Sequence, residues 1–203
     1  MKPQIDLPFK GNYPISFKFG AMPDWYLKLF GYPHNGIDFA LPVGVLVLAC
    51  DNGKITYADG VPDKDGIGIN IGHSWGMSQY WHLKKLLASY GQVVKKGDVI
   101  GVSGATGIVT GPHLHFGTKR PEDSPQGMRG WANPENYLIG AIPQPTPVPT
   151  PPRYYIVRPG DTLWKIAERF YGNGIYWNRI FSSNQDKIKH PGLIYPFQKL
   201  FIP

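Results

Sequence analysis

Short apolar runs separated by turn residues dominate the first two thirds of the chain. Residues 45–49 lead through Cys50 into Asp-Asn-Gly and residues 54–58 into Asp-Gly, so the two runs read as a hairpin-like meander. Segments 68–71, 78–82, 99–102 and 112–116 have the length and residue types of further strands. In this region only 84–89 suits a helix. The pattern predicts an antiparallel β architecture with many loops. Beyond residue 153 the period changes. Residues 154–158 read as a strand, and Leu163, Ile166, Ala167 and Phe170 fall at i, i+3, i+4 and i+7, one face of a helix starting near Asp161 or Thr162. A second helix is expected over 175–184 and a closing strand over 199–202, giving a small β-α-α-β module whose two strands pair.

Between these regions, residues 143–152 contain six prolines in ten positions. Such a segment donates few hydrogen bonds and favours polyproline II, a semi-rigid spacer rising about 3.1 Å per residue. The expected organisation is therefore a first domain over 1–142, a linker over 143–152 and a second domain over 153–203.

Composition agrees with a folded, turn-rich chain: 42% of the 203 residues are hydrophobic, with 25 Gly and 21 Pro. The lone cysteine, Cys50, ends an apolar run and reads as a buried small hydrophobe. The formal charge of +7 is concentrated after residue 153. A basic tail suits nucleic acid, an anionic envelope polymer or simply a solvated surface; no basic helix or zinc-finger spacing supports the first, so no nucleic-acid partner is expected. No segment is long and apolar enough to span a membrane. The N-terminus lacks the apolar stretch of a secretory signal, so the expectation is a phage-encoded chain, non-classical release, or a signal already removed.

Two short strings carry candidate chemistry: His34-Asn35-Gly36-Ile37-Asp38 and His113-Leu114-His115. On an extended strand, residues two or four apart share a face. Two such strands side by side offer imidazoles and a carboxylate to one zinc ion, with a coordination position left for water. Of the remaining histidines, His82 lies in Gln79-Tyr80-Trp81-His82-Leu83, whereas His73 reads as a surface residue and His190 as a turn residue. Tyr32 approaches His34 in sequence and has no further support.

Several strings occur together in one order: His34-Asn-Gly-Ile-Asp38, Tyr80-Trp-His82-Leu, Val94-Lys-Lys-Gly97-Asp-Val-Ile-Gly101, and Ser103-Gly-Ala-Thr-Gly107 followed by Thr110-Gly-Pro-His113-Leu-His115-Phe116. Over about residues 30–137 this combination resembles the M23 (lysostaphin- and LytM-type) zinc endopeptidases, antiparallel β enzymes that cut peptide bonds of bacterial peptidoglycan. The resemblance implies one Zn²⁺ per chain held by His34, Asp38 and His115, with His82 and His113 as catalytic histidines that do not bind the metal. Which of these two is the general base stays open. Residues 1–30 carry no usable motif.

Downstream, Tyr155-Ile-Val-Arg-Pro-Gly160-Asp-Thr-Leu163-Trp164, Asn184 and Leu193-Ile-Tyr-Pro196 resemble the LysM repeat over 153–203. The resemblance implies binding of N-acetylglucosamine-containing glycan through Gly160, Asp161, Thr162, Leu163, Leu193 and Ile194. One departure is evident: the usual Pro-Gly-Gln before the last strand reads Pro196-Phe197-Gln198. Trp164 and Trp177 are expected in the core. The fold class is thus a mainly β, M23/LytM-like catalytic domain plus a small βααβ α+β LysM module. The function implied is a zinc metalloendopeptidase acting on the stem peptide or cross-bridge of peptidoglycan, at an extracellular, cell-wall or periplasmic site. The alternatives are an inactive wall-binding scaffold, an activator of another hydrolase, or a phage lysin of the same chemistry.

Overall fold

The computed structural model describes residues 2–140, 153–172 and 174–203. These fall into two compact units, one within Met1–Gln144 and one within Pro145–Pro203. The proline-rich segment assigned to a linker lies outside the described residues.

The first unit runs β1 (Ile15–Phe17), α1 (Asp24–Phe30), β2 (Ile37–Phe39), β3 (Leu46–Leu48), β4 (Gly53–Asp59), β5 (Ile67–His73), β6 (Gly76–Leu86), β7 (Val93–Val94), β8 (Val99–Ser103), β9 (Leu114–Lys119) and β10 (Trp131–Ala132). The strands form one antiparallel sheet in the order β1-β2-β9-β6-β5-β4-β7, with β10 on β9 and β8 bridging β3 to β6. Strict alternation divides its faces. Ile37, Phe39, Leu114, Phe116, Ile69, Ile71 and Tyr80 point into the core and are fully buried. Asp38, His115, Gln79 and Trp81 therefore share the opposite face, where Asp38 pairs with His115 and His115 with Trp81.

Three expectations change. Residues 84–89 do not form a helix: β6 runs on to Leu86, and beyond Leu83 it leaves β5 to pair with β8. Leu83 is fully buried, Lys84 and Lys85 are exposed and Leu86 is half-buried, so it is pairing with β8 rather than local alternation that makes this segment sheet. The runs 45–49 and 54–58 do not pair as a meander, because β3 pairs with β8 and β4 with β5 and β7. The helix of this unit lies instead in the N-terminal stretch: α1 is closed by Gly31, whose left-handed backbone (φ 75°) lets its N–H reach the Leu27 carbonyl. That stretch is built into the unit. Ile5 and Phe9 are core residues, and β1 extends the sheet beside β2.

His73 is not a bare surface residue either. It stacks on Trp75 (4.5 Å, 10°), its Nδ1 lies 2.7 Å from the Asn52 carbonyl, and its Nε2 lies 2.7 Å from Ser78 Oγ. Ser78 in turn meets the Tyr80 hydroxyl at 3.0 Å, and that hydroxyl accepts from the Cys50 N–H. Cys50 is buried, and burial pushes its thiol up to about 11, so it is an unreactive packing residue.

The second unit is β11 (Arg153–Ile156), α2 (Leu163–Tyr171), α3 (Trp177–Ser182) and β12 (Lys199–Ile202), with β11 antiparallel to β12. Thr162 caps α2 by accepting from the Lys165 N–H at 3.1 Å, as the spacing predicts. Leu163, Ile166, Ala167 and Ile180 form its interior with Leu200 and Ile202. Trp177 is buried, and Trp164 packs so closely over Gly174 that a Cβ there would overlap the indole. Asn184 ties the module together: its amide donates to the Ile180 and Phe201 carbonyls, and its oxygen accepts from the Phe201 N–H. His190 is the expected turn residue, accepting the Gly192 N–H at 3.0 Å.

Burial lowers the His73 pKa despite the Asn52 carbonyl and Asp51. The unfolded chain therefore binds the proton more readily, and His73 contributes stability that is complete above its unfolded value near 6.5 and is lost as the pH falls below it. Urea unfolding of the wild type and His73→Gln between pH 7.5 and 5 should give a smaller acid loss in the variant; equal slopes would refute this. Phe197 retains the left-handed turn (φ 71°) normally given to glycine and is 83% exposed. Phe197→Gly relieves a strain of about 1–2 kcal/mol while losing little packing, so calorimetry should find the second unit stabilised by about 1 kcal/mol; destabilisation would contradict this.

Candidate metal centre

Antiparallel pairing of β2 with β9 brings Asp38 opposite His115. His34 precedes β2 rather than lying on it. It is held by the N-terminal segment: its N–H donates to the Ala21 carbonyl, its carbonyl accepts from the Gly20 N–H, and its Nδ1 lies 3.0 Å from the Lys18 carbonyl. Phe17 and Tyr26 pack against its ring at 4.8 and 5.6 Å between centroids. Burial raises the Tyr26 hydroxyl far above its ordinary range, with Asp38 adding to the effect, so Tyr26 stays a neutral wall. Tyr32 instead lies beneath the Arg129 guanidinium at 5.3 Å.

Three atoms converge. His34 Nε2 lies 2.9 Å from His115 Nδ1 and 3.1 Å from Asp38 Oδ1, and His115 Nδ1 lies 3.0 Å from the same oxygen. All three side chains are buried or nearly so. Desolvation alone would raise the Asp38 carboxyl, but the neighbouring His34, His113 and His115 rings hold it well below its usual value. Burial likewise lowers His115, against the pull of Asp38. Asp38 is therefore an ionised carboxylate, and burial favours the neutral ring of His115 beside it.

Such a set is short of hydrogen-bond donors. His34 Nδ1 faces the Lys18 carbonyl and donates to it, so the ring form that can bind a metal is the one with its lone pair on Nε2. The lone pairs of His34 Nε2 and Asp38 Oδ1 then share at most the single proton of His115 Nδ1. This is a donor-poor cluster that a cation completes. Zinc with nitrogen and oxygen ligands at about 2.0–2.1 Å separates them by about 3.3 Å in a tetrahedron, close to the observed triangle. His34, Asp38 and His115 form the metal-capable group of the described residues.

His82 and His113 flank the triangle without joining it. Their rings lie 4.6 Å apart, and His113 Nε2 stands 3.7 Å from Asp38 Oδ2. Each is anchored through Nδ1 on a backbone carbonyl, His82 on Thr106 and His113 on Gly111, both at 2.9 Å. His82 reaches this face through a bulge. Trp81 pairs with Gly68 and Leu83 with Ile67, so His82 is the extra residue, in a left-handed conformation (φ 66°). By simple alternation its side chain would enter the core; the bulge re-aims it beside His113. Burial, then the neighbouring His113 and His115, hold its pKa well below the usual histidine value.

The candidate glycan residues of the second unit are placed as follows. Asp161 Oδ2 accepts from the Tyr155 hydroxyl and the Arg158 N–H, both at 2.8 Å, and the Gly160 carbonyl accepts from Lys165 Nζ. Thr162 is exposed but caps α2. Leu163 is 1% exposed, so its side chain belongs to the core and only its backbone is open to a ligand. Leu193 is exposed and Ile194 half-buried.

The family model of peptidase family M23 matches residues 32–127, and that of the LysM domain matches residues 155–203. The catalytic domain of lysostaphin from Staphylococcus simulans superposes with a TM-score of 0.53 at 31% identity, covering 62% of this chain and 91% of that one. This chain belongs to peptidase family M23 and carries a LysM domain at its C-terminal end. Among curated relatives, the peptidoglycan DD-endopeptidase ShyB of Vibrio cholerae is 43% identical over 84 residues, which is 41% of this chain and 20% of ShyB. Lysostaphin of Staphylococcus simulans is 37% identical over 107 residues, 52% of this chain and 21% of that protein. The chain spans less than a third of the length of the curated relatives it matches first.

The triangle predicts one zinc bound per chain, measured by chelator competition. Asp38→Ala and His115→Ala should each reduce the stoichiometry to near zero. A wild-type protein that binds no zinc, or a variant that binds it unchanged, would refute the centre.

Proposed function

We propose that this chain is a zinc-dependent endopeptidase that hydrolyses peptide bonds of bacterial cell-wall peptidoglycan, with domains over 1–142 and 153–203 joined by a proline-rich spacer. The observation that carries the reading is the donor-poor triangle of His34, Asp38 and His115 beside two carbonyl-anchored imidazoles. In this reading the three residues of the triangle hold the zinc, which when bound acidifies a water and polarises the scissile carbonyl.

The protein's own groups supply the proton transfers. His82 keeps its ring proton at Nδ1, against the Thr106 carbonyl, so Nε2 is the atom that accepts a proton from the attacking water. Its buried position favours the neutral ring that a base requires. His113 is anchored in the same sense, and its Nε2 stands 3.7 Å from Asp38 Oδ2 at the edge of the triangle. His113 is thus suited to donate to the developing oxyanion or to the leaving amine.

Peptidoglycan as substrate is supported by the relatives, among them ShyB and the glycyl-glycine endopeptidase ALE-1 of Staphylococcus capitis. The LysM domain supports attachment to N-acetylglucosamine-containing wall glycan through the 160–163 and 192–195 loops, and action at an extracellular or periplasmic wall. Tethering by a spacer raises the local concentration of the first unit at its substrate without new contacts.

Fragments released from defined peptidoglycans, identified by mass spectrometry, test activity and bond together. His82→Ala and His113→Ala should each slow release by about 10²–10⁴-fold while retaining one zinc per chain. Undiminished release by either variant would overturn its catalytic role, and wild-type protein that loads zinc yet releases nothing would overturn the activity.

A further inference from the structure

The edge of the His115 ring that faces away from the triangle is also occupied. Gln79 Nε2 lies 2.8 Å from His115 Nε2, and Gln79 is 6% exposed. Gln79 comes from β6, on the same face as Trp81 and two residues before it. Its cross-strand partner on β9 is Gly117. A Cβ at position 117 would fall 2.6 Å from Gln79 Nε2 and 2.8 Å from its Cγ, so the side chain lies in a slot that only glycine leaves open. On the other flank, Gly36 backs the same ring: a Cβ there would fall 2.8 Å from His115 Cε1 and 2.9 Å from Nε2. The imidazole is thus backed by the Gly36 backbone, and the Gln79 amide that partners Nε2 is seated over Gly117.

This arrangement has a consequence for the proton of His115. In the geometry described, Nδ1 carries the proton and donates to Asp38 Oδ1, while Nε2 accepts from the Gln79 NH₂ group. A metal held at Nδ1 needs the lone pair on that atom. The ring proton must then sit on Nε2, and a buried N–H without an acceptor keeps its desolvation penalty uncompensated. Gln79 meets both states. Its terminal amide torsion is broad and roughly two-fold, so a half-turn replaces NH₂ by Oε1 at the same place. One proton changes nitrogen, and no group is left unpaired.

We propose that Gln79 is a positioning residue for the metal centre: its amide accepts the His115 Nε2 proton and so holds the ring in the tautomer that offers Nδ1 to zinc. The proposal rests on the assignment of His115 as a ligand. A glutamine is suited to this task where a glutamate would add a second buried charge beside Asp38, and where a leucine would leave Nε2–H unsatisfied.

Zinc affinity, measured by chelator competition alongside urea stability, tests this independently of activity. Gln79→Leu should weaken zinc binding by about 10–100-fold, the usual cost of losing a partner behind a metal-bound histidine. Gln79→Glu, which has the same shape and can only accept when ionised, should bind zinc at least as tightly as wild type. Gln79→Leu with reduced stability but wild-type zinc affinity would make Gln79 merely structural and overturn the proposal. So would equal losses in Gln79→Leu and Gln79→Glu, since donation rather than acceptance would then matter. Wild-type protein and His115→Ala keep the two levels apart. No zinc on the wild type removes the centre and this inference together; zinc lost in His115→Ala but not in Gln79→Leu removes this inference alone.

Discussion

The register between β2, β9 and β6 is the constraint on which the candidate site depends. Asp38 lies opposite His115, and His115 opposite Trp81, because Ile37, Phe39, Leu114 and Phe116 are locked into the core on the other face. Each such side chain contributes about 1.5–3 kcal/mol when fully buried. A slip of one residue would expose all of them and carry Asp38 and His115 inward. The polar face therefore needs no strong interactions of its own to stay aligned. Its cost, a buried carboxylate among imidazoles, is borne by an apolar face that cannot shift.

Fine positioning of the imidazoles is the work of main-chain carbonyls. Lys18, Thr106 and Gly111 each face an Nδ1, which fixes the ring orientation and the nitrogen that points toward the cleft. His115 differs, being oriented through Nε2 by a side chain, Gln79. The difference follows from position along the chain: His115 lies within a strand, whereas His34 and His113 lie just before strands and His82 lies on a bulge. Loop and bulge backbone is free to serve as an anchor, and strand backbone is not.

Much of the first unit was legible where alternation is unbroken. Segments 68–71, 78–82 and 99–102 are strands, and His-x-His and His-x-x-x-Asp spacing brought His34, Asp38, His113 and His115 together on paper as in space. What escaped was whatever depends on distant partners. Lys84-Lys85-Leu86 has helical propensity, yet β8 draws it into the sheet. The left-handed bulge at His82 has no composition signal, because the residue there is not glycine. The N-terminal stretch shows no motif because what it lends to the site, the Lys18 carbonyl and the Tyr26 wall, is backbone and bulk. Gln79 belongs to the string Gln79-Tyr80-Trp81-His82-Leu83 but carries no chemistry until His115 is placed beside it. In the second unit, the helix face and the Thr162 cap were readable, while the burial of Leu163 removes its side chain from any ligand surface.

X-ray absorption spectroscopy of the zinc-loaded protein tests the division of the histidines most directly, because it counts imidazoles on the metal without reference to activity. The account predicts a first shell of nitrogen and oxygen at about 2.0–2.1 Å, with outer-shell scattering from two imidazoles, those of His34 and His115. A fit requiring three imidazoles would place His113 or His82 on the metal and contradict it, as would a sulfur ligand.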